Sequence, residues 1–161
     1  MAVTEGPADA GYGQAATAAF EIQVQLSTRV GCRTLGRSEG ILREALYSLH
    51  SMFEIVRDVL ETRDLAGAAA AGDRDAAAVL ECADELLEGA LRPFLDRWHP
   101  LLAAYEGRRP EGRSVVEHEG RWERAEEFRA ALRDLGDRLT EVNRKLAGIS
   151  GTDLEPPLPA R

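Results

Sequence analysis

The sequence predicts an all-α protein: an antiparallel bundle of three long helices, the second kinked by proline, with an N-terminal extended or β segment. Three observations carry this reading. Apolar residues step by three and four along three separate stretches, two prolines fall inside the second of them, and residues 20–32 alternate instead with period two. At 161 residues the chain is long enough for one domain with one core. The domain is expected over residues 17–150, between disordered tails at 1–16 and 151–161 that are rich in Gly, Ala and Pro and have little to bury.

Phe20, Ile22, Val24, Leu26, Val30 and Cys32 occupy even positions, while Glu21, Gln23, Gln25, Ser27, Arg29 and Arg33 take odd ones. Period two and β-branched content favour a half-buried strand; Ala15 to Ala19, good helix formers, support a helix as the other reading. The first long helix follows Ser38. Its stripe is Leu42, Leu46, Leu49, Phe53, Val56 and Leu60, widened by Ile41, Ala45, Met52 and Val59 into the broad face of a bundle helix. Residues 65–73, LAGAAAAGD, read as a loop or frayed helix end.

The second helix should start near Asp73 or Asp75, with Leu80, Ala83, Leu87, Ala90, Phe94, Trp98, Leu101 and Tyr105 inward. Pro93 and Pro100 each remove a backbone donor and crowd a carbonyl four residues back, at Gly89 and Asp96, which predicts a kinked helix or two helices meeting near Pro93. Residues 106–120 read as a polar connection. The last helix, expected over 121–148, has the clearest stripe: Phe128, Leu132, Leu135, Leu139, Val142, Leu146 and Ile149.

Three such helices can close a bundle among themselves, which leaves a strand at 20–32 with unpaired N–H and C=O groups. No second strand is evident in the chain. The expectation is therefore self-assembly, most simply a homodimer in which Phe20, Ile22, Val24, Leu26 and Val30 belong to paired segments.

The formal net charge of −8 opposes binding to nucleic acid and to anionic membrane surfaces, and all but one of the 20 basic residues are arginine. The first residues show neither a positive n-region nor an apolar run, and no stretch is long enough to span a bilayer, so a cytoplasmic protein is expected. Cys32 and Cys82, without a CxxC pair, are expected as free thiols.

No phosphate-binding Gly loop, GxSxG elbow or HExxH is present. Asp96 and His99, three apart, share a helix face with Glu106; His50 and Glu54 are four apart on the first helix. Together they resemble halves of a carboxylate and imidazole metal site between bundle helices, but the inward positions of the third helix are all apolar and supply no further ligand, so no cofactor is expected. Trp98, with Phe94, Tyr105 and Trp122, would line a ligand pocket at the proline kink; the other reading is plain core. Arg37, Arg43 and Glu44 would make a polar patch, the other reading being a solvated helix face, and His118 lies between Glu117 and Glu119 in the connection.

The strings GILREALYSLHSMFEIVRDVL and LRPFLDRWHPLLAAYE resemble short helical proteins of actinobacterial genomes that carry an LREAL…SL segment followed by LRP-[FV]-L-x-x-WHP-x-L. The resemblance covers roughly residues 20–148; it implies a source, no mechanism, and no functional residues to carry over. The sequence thus points to a non-enzymatic assembly or adaptor protein with a protein partner or a second copy of itself. The alternative is a small bundle sensor or enzyme using Asp96, Trp98 and His99.

Overall fold

The structure, a computed structural model, describes residues 13–29 and 41–154. Among these residues it is all-helical, with no strand. The helices are α1 (Gln14–Thr28), α2 (Leu42–Thr62), α3 (Leu65–Ala70), α4 (Arg74–Asp84), a π-helical stretch (Glu85–Leu91), α5 (Arg92–Glu106), α6 (Val115–Gly120) and α7 (Ala125–Ser150). No helix is long and apolar enough to cross a membrane among the described residues.

Residues 20–28 are helical, which overturns the extended segment there; Val30 and Cys32 lie outside the described residues. Ala15, Ala18, Ala19, Ile22 and Leu26 fall on one face of α1 and are all buried, whereas Phe20 is 41% exposed and Val24 only half-buried. Helical spacing thus decides burial, and the alternating pattern does not. With Ile22 and Leu26 in the core, the strand edge proposed for pairing does not exist over 20–28. The expected N-terminal tail also ends too late, since Gln14 to Ala16 are already helical.

α1 is a fourth wall of the core. It packs most extensively on α7 and also on α2 and α4. A polar strap fastens the contact: Gln23 Nε2 donates to the Thr152 carbonyl (3.0 Å), the Ser150 hydroxyl donates to Gln23 Oε1, and Leu154 O accepts from Ser27 Oγ (3.0 Å) and Asn143 Nδ2 (2.7 Å). Gly151, at φ 69°, reverses the chain at the end of α7 so that the strap can run back, a conformation glycine adopts without a Cβ clash. Residues 151–154, expected in the tail, are therefore held; 155–161 lie outside the described residues.

Asp73 caps α4, its carboxylate accepting from the N–H groups of Asp75 (3.0 Å) and Ala76 (3.1 Å). From Arg74 to Glu106 the chain stays helical throughout, despite both prolines. The π-helical stretch ends two residues before Pro93, with the Arg92 N–H donating to the Leu87 carbonyl five residues back. The Gly89 carbonyl, which Pro93 cannot serve, accepts instead from Arg138 Nη2 of α7 at 2.6 Å. The segment read as a polar connection contains α6, opened by a capping box in which Ser114 and Glu117 bond one another's backbone N–H groups.

Truncating Ile22 to Ala should lower unfolding stability by about 2–5 kcal/mol, and truncating half-buried Val24 to Ala by distinctly less. Urea denaturation followed by circular dichroism checks this; equal losses would mean that α1 does not pack by its helical face.

Candidate functional site

α2 and α5 pack side by side, and their outer faces bound a cleft. The reason lies in helical spacing. On α5, Phe94, Leu95, Trp98 and Leu102 are buried, while Asp96, His99, Pro100 and Ala103 are exposed. On α2 the matching outward residues are His50 and Glu54, with Phe53 half-buried beside them. The cleft they line, together with Arg92 and Leu95, has a volume of about 480 Å³. A second recess of about 330 Å³, bounded by Arg43, Leu46, Tyr47, Leu102, Ala103 and Glu106, shares His50 and His99 with the first.

The sequence-level candidates therefore divide. His50, Glu54, Asp96 and His99 come together, the two imidazoles facing edge to face with ring centroids 6.5 Å apart. Glu106 joins them through the adjoining recess, but its carboxylate accepts from Arg43 Nε at 2.6 Å. Trp98 does not belong to the site. It is 1% exposed, on the opposite face of α5, with Phe128 (5.2 Å), Trp122 (6.1 Å) and Phe94 (6.3 Å) around its ring, which places it in the core. No group of three or more His, Cys, Asp or Glu is placed to hold a metal ion among the described residues.

The cations of the cleft are already engaged. Arg92 forms a two-point pair with Glu88 (2.6 and 2.8 Å) and lies 5.1 Å over the Phe53 ring; this pairing raises the Arg92 guanidinium and lowers the Glu88 carboxyl from their ordinary values. The hydrogen bond to Glu106 likewise raises Arg43. Tyr47, 63% exposed, stands on the rim of the second recess.

One end of the cleft is fixed by a group with no local signal in the sequence. Glu119 on α6 is 3% exposed, and its carboxylate accepts from the backbone N–H groups of Leu42 (2.7 Å) and Arg43 (3.2 Å), capping α2 from another helix. Burial pushes its carboxyl up, against the two N–H bonds that pull it down; Glu106 adds to the rise and Arg43 opposes it. Beside it, buried His118 stacks on Tyr105 (4.1 Å) and donates from Nε2 to the Tyr105 carbonyl (3.0 Å), while the Tyr105 hydroxyl donates to the His118 carbonyl (2.8 Å). The spacing Ser114-x-x-Glu117 was the readable signal for α6, though not for what its next two residues do.

Compared with known proteins, the chain matches no family model, no curated protein and no solved structure.

Because the Glu119 carboxyl is raised on folding, the native state holds more of its proton than the unfolded chain does just above the ordinary glutamate range. Its contribution to stability must then fall as pH rises through that window. Glu119→Gln, which cannot ionise, should gain in stability relative to the unchanged protein as pH rises above the ordinary glutamate range, read as the difference in urea midpoints. The opposite trend would mean that the two N–H bonds outweigh burial.

Proposed function

We propose that this protein is a non-enzymatic adaptor that docks a protein partner along the α2–α5 face. The observation that carries this reading is the pair of adjoining recesses sharing His50 and His99, with an apolar floor of Leu46, Leu95, Leu102 and Ala103 and an exposed aromatic ring, Tyr47, at the rim. A continuous amphipathic groove between two helices suits a side chain or helix laid across it, and Tyr at an interface supplies large area at low entropic cost.

Reactive groups that do catalysis are usually desolvated and drawn together. Here His50, Glu54, Asp96 and His99 all stand exposed on the outer surface, an arrangement that suits recognition better than chemistry. Self-association has no strand to use here; the point we propose for it instead is Phe20, exposed beside an apolar recess with Ala16, Thr17, Ser150 and Thr152. Light scattering tests that, with Phe20→Glu expected to leave only monomer if this patch joins two copies.

For the groove, p-benzoylphenylalanine in place of Tyr47 should give a discrete photo-crosslinked species in extracts of the source organism, lost when Ala103→Trp fills the shared floor. The same residue in place of exposed Arg133 on α7 should give none. Absence of the species at 47, or equal yield at 133, would overturn the adaptor reading.

A further inference from the structure

The polar groups around the cleft are unequally employed. Every arginine near it has a glutamate: Arg43 has Glu106, Arg92 has Glu88, and Arg57 bonds Glu61 at 2.9 Å while standing 3.9 Å from Glu54. The carboxylates that line the larger recess are less well served. Glu54 has only that distant contact, and Asp96 forms no ion pair with a described residue, the guanidinium that acts on it being that of Arg92, which Glu88 already holds at two points. Pro100 adds to the imbalance, because it has no N–H to offer the Asp96 carbonyl, and both residues line the recess. His50 and His99 each present an imidazole nitrogen able to accept when neutral.

The open hydrogen-bonding capacity of the cleft is thus mostly that of acceptors, two of them charged, above a floor of Leu95, Pro100 and Ala103. What complements such a site is a positively charged N–H donor on an apolar stem, the description of a lysine or arginine side chain. The net charge of −8 draws such a group from a distance, and Tyr47 offers a ring face for it at the rim. The adjoining recess extends the site beyond the reach of one side chain, which favours a chain segment over a free amine.

We propose that the α2–α5 cleft receives the basic side chains of an amphipathic Lys/Arg-bearing segment of a partner protein, with Asp96 and Glu54 as the carboxylates that engage them. This rests on the adaptor reading and gives its partner a chemistry. The test is calorimetric titration with three probes: a short amphipathic peptide carrying Lys and Arg on its polar face, the same peptide with Glu in their place, and 1,5-diaminopentane. The basic peptide should bind, and Glu54→Gln with Asp96→Asn should weaken it about tenfold or more. Asp134→Asn with Asp137→Asn, the same charge change on the exposed face of α7, should weaken it about twofold at most.

Equal weakening by both pairs would reduce the effect to the field of the whole molecule and overturn the proposal. So would binding of the Glu peptide at similar strength. Displacement of the basic peptide by the diamine at matching concentration would make the cleft a free-amine site and overturn it as a docking groove. A crosslink from position 47 that lands on an acidic or uncharged partner segment would sink this inference while leaving the adaptor reading intact; failure of the crosslink itself sinks the adaptor reading.

Discussion

Two missing hydrogen-bond donors, at Pro93 and Pro100, govern how α5 meets its neighbours. A proline inside a helix strands the carbonyl four residues back and normally bends or ends the helix. At Pro93 the chain answers by widening into the π-helical stretch and by bringing Arg138 from α7 to the Gly89 carbonyl. The extra residue in that turn shifts the faces of everything that follows, so that Phe94, Trp98 and Leu102 point inward and Asp96, His99 and Ala103 outward toward α2. At Pro100 no such bond to the Asp96 carbonyl is seen among the described residues, and Asp96 lines the cleft. Both prolines stand on the surface, but only the first has its stranded carbonyl answered by another helix.

The opposite wall of the cleft depends on α6. A helix start leaves backbone N–H groups without acceptors, and Leu42, first residue of α2, is 1% exposed. A side chain within α2 would usually serve, yet Ile41 at the cap position has no oxygen to offer. Glu119 supplies both acceptors from α6, and the Tyr105–His118 stack holds α6 against the end of α5. The beginning of α2 and the end of α5 are thus joined through a six-residue helix, with the Arg43–Glu106 pair spanning the same junction. The position of Arg43 relative to His99 follows from that junction.

The legible parts of the sequence were those where one period dominates. The stripe from Phe128 to Leu146 is buried throughout, and the stranded carbonyl at Gly89 was foreseeable from proline chemistry. α1 was ambiguous for a physical reason. Helical neighbours four apart, such as Ala18, Ile22 and Leu26, all sit at even positions, so a helix with polar Glu21, Gln23 and Gln25 at the odd ones imitates a strand. Trp98 was read both as core and as part of the site, and its place four residues from Phe94 and two from Asp96 is a spacing that puts it with the core and away from the cleft. Glu119 had no local signal, because its partners Leu42 and Arg43 are more than 70 residues away in sequence.

The chemistry of the cleft also follows from how an acidic chain distributes its few cations. With arginine as nearly the whole basic complement, each guanidinium can hold a carboxylate at two points and leave little capacity for a third party. Pairs so exposed add little to stability, but they neutralise the positive charge beside the cleft and leave Glu54 and Asp96 to set its sign. Their exposure has a second consequence. Carboxylates in contact with solvent attract cations strongly at low ionic strength and weakly at physiological salt, and such charges influence the rate of encounter more than the lifetime of a complex. Lasting contact must then come from the apolar floor and Tyr47, so that the carboxylates orient a basic segment and the rings and methyl groups retain it.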